Sequence, residues 1–177
     1  WLLPLLGGDA RPITNSASEL SLKGVSGDFR RILAQEATLN TKIYIAERRD
    51  LSGGQELGEG DLHVAWTPDG QLVFSAADAS TPDIWIASID GGSRKQLTID
   101  ASLQRSPSVS PDGKTIVFVS TKNRSQNIWR MNADGGEQRQ ITSGDGEAWP
   151  VITPDGASVV FNSTSTGFLW KIPIEGG

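Results

Sequence analysis

Residues 111–142 read PDGKTIVFVSTKNRSQNIWRMNADGGEQRQIT, and both halves of this stretch recur elsewhere in the chain. The opening returns as Thr67-Pro68-Asp69-Gly70, Ser110-Pro111-Asp112-Gly113 and Thr153-Pro154-Asp155-Gly156, with the prolines 43 residues apart. The second half is an aromatic residue followed six positions later by Gly-Gly and a polar run ending in Leu/Ile-Thr. It reads WIASIDGGSRKQLT from Trp85, WRMNADGGEQRQIT from Trp129 and WLLPLLGGDARPIT from Trp1. A period of this length marks a supersecondary unit used several times, each copy burying its apolar faces against its neighbours.

The content of one unit follows from its residue types. Ser106 to Ser110 is a short segment closed by Pro111-Asp112-Gly113, where proline presets the turn, Asp binds it locally and Gly takes the left-handed position. Ile116-Val117-Phe118-Val119 is a continuous β-branched and aromatic run, as expected of a strand covered on both faces. Asn127 to Asn132 carries Ile128 and Trp129, and Asp134-Gly135-Gly136 turns the chain into Glu137 to Thr142. Four antiparallel strands result, named A to D in chain order. No window of ten residues carries a helical apolar stripe.

Short four-stranded units repeated at this spacing predict an all-β fold, a β-propeller whose blades cover one another's apolar strands. Residues 1–14 form a half blade, 20–57 a degenerate blade, 62–98 and 104–142 regular blades, and 147–177 an incomplete one. This gives about four blades and 17 strands in an open arc, because both ends of the sequence supply a strand C. Both ends fall in mid-repeat without an initiator methionine, so the sequence reads as a piece of a longer protein. In the degenerate unit Phe29 replaces the turn glycine, which predicts a differently shaped turn. Tyr44 stands at the Trp position there, and Asp50-Leu51-Ser52-Gly53-Gly54 is expected to form a longer C–D hairpin. The recurrent Trp reads as core, since burying such a ring removes on the order of 150–250 Å² from water, worth roughly 4–6 kcal/mol as an upper bound.

Composition excludes several functions. A net charge of −5 and an isoelectric point near 4.9 provide no basic footprint for nucleic acid. There is no cysteine and only one histidine, His63, so neither a thiolate site nor a multi-His metal cluster is expected. The opening run Trp1 to Leu6 is too short for a membrane span. Gly113-Lys114-Thr115 ends like a phosphate-binding loop, but Ser108 stands where that loop needs glycine. No Gly-x-Ser-x-Gly elbow occurs, so no catalytic residue, metal or cofactor is assigned. The recurring Asp28, Asp69, Asp112 and Asp155 are read as turn residues. Lys122-Asn123-Arg124 is read as a solvated basic spot.

The phrase Ser/Thr-Pro-Asp-Gly, Ile-Val-Phe, Asn/Asp-Ile-Trp, Asp-Gly-Gly and Gln-Leu/Ile-Thr resembles the TolB-like, WD-repeat-related propeller family over virtually the whole chain. The resemblance implies six or seven blades, hence further blades in the parent protein. It also implies a periplasmic or otherwise extracytoplasmic bacterial setting. Ile128-Trp129-Arg130-Met131 with Gln140-Ile141-Thr142-Ser143-Gly144 is most similar to the propeller part of membrane-anchored serine/threonine kinases. The expected role is binding of a protein or peptide. The rival readings are the gating propeller of a serine peptidase of prolyl-oligopeptidase type and a structural spacer.

Connectivity also predicts where binding occurs. In an up-and-down blade the A–B and C–D turns lie at one end and the B–C and D–A loops at the other. The turns are nearly constant in sequence, whereas the loops vary in length and character. Variable loops on a rigid scaffold are where recognition is usually placed. Asp61, His63, Arg105, Glu147 and Trp149 are therefore expected to mark the inner rim of a binding surface.

Overall fold

The computed structural model describes residues 20–25, 31–36, 42–47, 50–59, 63–76, 81–90 and 92–177. Fifteen strands and no helix occur among them. The expected half blade at 1–14, the turn at Phe29, and Asp61 lie outside the described residues. The chain divides into two compact units, residues 1–58 and 59–177.

The first unit is one antiparallel sheet of β1 (Leu20–Val25), β2 (Arg31–Glu36), β3 (Lys42–Glu47) and β4 (Asp50–Glu59), paired in chain order. Ile43 and Ile45, two residues apart, are buried, as the period of a strand requires. Here one expectation is corrected. Asp50 to Gly54 forms the start of β4 and not a long hairpin, and β3 ends at Glu47, only three residues before β4 begins. Among the described residues β4 lies at the edge of its sheet, and an edge tolerates the glycines that a turn would also have used.

The second unit holds three sheets. β5 (Val64–Trp66), β6 (Leu72–Ala76), β7 (Asp83–Ala87) and β8 (Arg94–Gln96) form one. β9 (Gln104–Val109), β10 (Thr115–Ser120), β11 (Asn127–Asn132) and β12 (Arg139–Gln140) form the next. The third is β13 (Glu147–Ile152), β14 (Ser158–Ser163) and β15 (Leu169–Pro173). The apolar runs of strand B are buried as their composition predicts: Ile116, Val117 and Val119 are fully inaccessible and Phe118 nearly so.

Alternate residues of β10 serve two cores. Ile116 and Phe118, with Trp129 and Met131, pack on Val73, Ile84 and Leu97 of the preceding sheet. Val117 and Val119, with Ile128 and Ile141, pack on Ile152, Val159 and Phe161 of the following one. The middle sheet thus has an incoming and an outgoing apolar face, the property that lets one repeat stack on the next. Strand D is short but secured. Leu97 N donates to Ile84 O at 2.8 Å and Ile141 N to Ile128 O at 2.9 Å. The following threonines accept from Ile84 N and Ile128 N at 2.9 and 2.8 Å.

Candidate binding surface

The two ends of the sheets differ in how their polar groups are used. At the turn end, Gly70, Gly113 and Gly156 donate to Thr67, Ser110 and Thr153 carbonyls, each with positive φ. Ser110 Oγ donates to Asp112 at 2.6 Å and Lys114 N to the same carboxylate at 3.1 Å. The Ser110 hydroxyl and the Lys114 amide hold the Asp112 carboxyl below its ordinary value of 3.8. Thr67 does the same for Asp69, and Thr153 for Asp155. These carboxylates are engaged within their own turns.

The C–D turns do more than reverse the chain. Gly135 has φ +94, and a Cβ there would lie 2.7 Å from the carbonyl oxygen of Leu97 in the preceding sheet. Gly176 sits the same way against Ile141, at 3.2 Å. In return, Lys95 Nζ donates to Asp134 O at 2.8 Å and Arg139 to Glu175 O at 2.9 Å. A cation on strand D and a glycine turn on the next sheet therefore form a repeated clasp. The sequence pattern gives the turn but not its docking.

At the loop end, strand A of each following sheet is anchored on the residue before strand C. Gln104 N donates to Pro82 O at 2.8 Å and Glu147 N to Gln126 O at 2.9 Å. The same Gln126 accepts from Arg105 Nη2 at 2.8 Å, so Arg105 and Glu147 meet through one glutamine. Lys122 pairs with Asp100 at 3.5 Å and lies over the Trp129 ring at 5.5 Å, which corrects its reading as a merely solvated charge.

Glu147, expected at the inner rim of the binding surface, is buried. Its carboxylate accepts from the Thr142 hydroxyl, from Asn127 Nδ2 at 3.1 Å and from Gly144 N at 3.2 Å. The preceding junction is built from the opposite pair. There Asp83 accepts from Thr98 Oγ1 at 2.7 Å and Gln96 Nε2 at 2.9 Å, and buried Gln104 stands at the Glu147 position. Gln104 itself donates to Asp100 at 2.8 Å, so that junction uses two carboxylates, Asp83 on strand C and Asp100 in the D–A loop, where the next places its buried carboxylate, Glu147, on strand A. The trade Asp83/Gln104 for Asn127/Glu147 is visible in the aligned repeats once both positions are compared.

Trp149 is exposed at 55 % between buried Ala148 and Pro150. Its φ is +50, and Ser106, the equivalent residue before Pro107, has φ +54. Both lie where the A–B ladder shifts register. A left-handed backbone costs an L-residue on the order of 1–2 kcal/mol, and a bulge followed by proline is what holds it. His63, the third equivalent, precedes an unbroken ladder and is half-buried, its carbonyl accepting from Ser75 N at 3.4 Å.

The family model of the TolB beta propeller domain matches residues 26–176. The chain belongs to this TolB β-propeller family. The Tol-Pal system protein TolB of Francisella tularensis subsp. tularensis is 29% identical over 99 residues, 54% of this chain and 23% of that protein. The matched part thus spans under a quarter of the curated relative. A TolB-type structure from Agrobacterium tumefaciens superposes with a TM-score of 0.77 at 25% identity, covering 87% of this chain and 61% of that one. Puromycin hydrolase shares the fold, with a TM-score of 0.71 at 16% identity over 93% of this chain and 30% of its own. TolB-type repeats thus account for the 43-residue period and the four-stranded sheets.

Proposed function

We propose that this TolB-type chain is a non-catalytic binding module that takes a protein or peptide partner at the loop end of its sheets. Asp61, His63, Arg105 and Trp149 form the inner rim, and Glu147 is the buried post under it. The observation that carries this reading is Trp149, a large aromatic held exposed on a strained backbone between buried neighbours. Strain of this kind collects at functional sites, and tryptophan is enriched among the residues that dominate interfaces. The turn end, by contrast, uses its carboxylates and glycines internally.

The kinase-like wording of strands C and D supports a place in a larger envelope or signalling protein, on the extracytoplasmic side of a bacterium. The likeness to puromycin hydrolase, one of fold alone, supports the second reading, a peptidase's propeller. A kinase region and membrane helix encoded upstream favour the first; a Gly-x-Ser-x-Gly domain downstream favours the second.

The test uses the full-length parent protein in its host, with bound partners quantified by cross-linking. Trp149→Ala and Asp61→Lys are expected to reduce capture about tenfold or more, while Asp69→Lys and Asp112→Lys at the turn end leave it unchanged. Loss confined to the second pair sinks the assignment.

A further inference from the structure

Two tryptophans among the described residues, Trp66 and Trp129, bury an indole N–H that finds no acceptor. Of the two, Trp129 alone has a described cation over its ring, Lys122 Nζ at 5.5 Å from the centroid. Its counterpart in the first sheet is satisfied. Trp85 pairs with Phe74 as Trp129 does with Phe118, and Trp85 Nε1 donates at 3.2 Å to the carbonyl of Ala76, the last residue of strand B. A buried donor without a partner carries its full desolvation cost, and Trp129 has no such bond to offset it.

The Lys122 side chain is the movable part of this arrangement, because its backbone is fixed. Thr121 N donates to Leu103 O at 3.1 Å, Leu103 N to Thr121 Oγ1 at 3.0 Å and Lys122 N to Ser120 Oγ at 3.1 Å, and Arg124 N closes the turn on Thr121 O at 2.9 Å. The ammonium, by contrast, meets Asp100 at 3.5 Å, beyond the roughly 2.7–2.9 Å of a charge-assisted bond. The other oxygen of Asp100 already accepts from Ser102 N at 3.0 Å and Gln104 Nε2 at 2.8 Å. The ammonium donors thus face one loosely held carboxylate, on an exposed side chain. Arg124, two residues on, is exposed as well, so this loop is a local positive spot on a chain of net charge −5.

We infer that the B–C loop of the second sheet binds a carboxylate of a peptide ligand, with the Trp129 indole N–H as fixed donor and Lys122 as the cation that swings off the ring and closes on the ligand. One carboxylate oxygen accepts from the indole and the other from the ammonium. The ligand gives the indole the acceptor it lacks and gives Lys122 a closer partner than Asp100. A singly charged group fits better than phosphate, because the two donors carry one charge between them and a buried charge must be matched. As a statement about the natural partner the inference rests on the loop-end reading; the measurement that tests it needs no partner, so the two fail separately.

The probe is sodium acetate, titrated into the full 177-residue chain at constant ionic strength and followed by NMR. The Trp129 indole resonance and the Lys122 to Arg124 amides are expected to shift together, with half-saturation below about 100 mM, while the Trp85 indole stays in place. Lys122→Met on the exposed loop, and Trp129→Phe, which keeps a ring and removes the N–H, are each expected to weaken binding about tenfold or more. In the second variant the amides report the binding, and Lys122→Met decides alone if loss of the indole loosens the core. Asp100→Asn removes the competing carboxylate and is expected to tighten binding about twofold. Two capped dipeptides separate the sources: acetyl-alanyl-glutamic amide carries only a side-chain carboxylate, and acetyl-alanyl-alanine only a terminal one. Each that binds at least about threefold tighter than acetate is assigned as a source. Absence of a saturable shift, unchanged binding in Lys122→Met, weaker binding in Asp100→Asn, phosphate binding more tightly than acetate, or neither dipeptide exceeding acetate overturns the inference.

Discussion

The second and third sheets of the larger unit carry the same phrase, yet their tryptophans differ. Phe118 pairs with Trp129 and Phe161 with Trp170 in the same ladder position, but Trp129 is 7% exposed and Trp170 51%. β11 is flanked by β12, with Lys122 over the Trp129 ring, whereas among the described residues β15 pairs with β14 alone. A repeat therefore specifies strand, register and partner residue by itself, while its neighbours decide how much apolar surface leaves water. In a stacked array that second part is where most stability resides.

The largest effect expected from this contrast is on the tryptophans. Trp129→Ala should cost about 3 to 5 kcal/mol, the range for emptying a large aromatic site in a core, and Trp170→Ala less than about 2 kcal/mol in proportion to its smaller buried area. Chemical denaturation of both variants measures the difference, and equal losses would break the comparison. Next comes Gly135→Ala, which must place a methyl group against the Leu97 carbonyl at a positive φ. It is expected to cost about 1 to 3 kcal/mol, and more than Gly176→Ala, whose neighbour lies 3.2 Å away.

The junction chemistry gives a smaller and more specific prediction. Glu147→Gln should lower stability by about 1 to 2 kcal/mol through loss of charge-assisted bonds to Thr142, Asn127 and Gly144. Adding Asn127→Asp recreates the acid-on-strand-C arrangement of Asp83 and Gln104, and should recover much of that loss. A double-mutant cycle reads the coupling directly.

The smallest effect is on acid stability. Asp112 and Asp155 have depressed folded-state values, so their contribution is complete above the ordinary 3.8 and is lost as the pH falls through the lower folded value. Ser110→Ala and Thr153→Ala should each move the neighbouring carboxyl upward, by similar amounts because both turns are local. Carboxyl resonances followed by NMR titration report the shift, and a large difference between the two turns would show that stacking reaches them after all.

These contrasts also mark what was legible in the residues. The turns, the buried strand B and the register of Trp129 follow from Pro-Asp-Gly, the β-branched run and the period, because each is a local preference that agrees with the fold. The start of β4 was not legible, since Gly53-Gly54 suits a turn as well as an edge strand. Nor was the burial of Glu147, whose partners Asn127 and Thr142 come from two other strands of the preceding sheet. The strained backbone at Ser106 and Trp149 left a trace in Pro107 and Pro150, because proline inside a strand signals a bulge or an edge. Of the rim residues, Arg105 and Glu147 are brought together only by Gln126, a residue with no motif of its own.

The clasp between successive sheets bears on how such chains grow. Lys95 and Arg139 reach forward to the turn of the following sheet, and Gly135 and Gly176 settle back on the strand before them. Both halves lie within a single 43-residue period. A tandem duplication of that period therefore delivers a matched hook and eye at each new seam, and lineages can lengthen the array without first evolving a fresh interface.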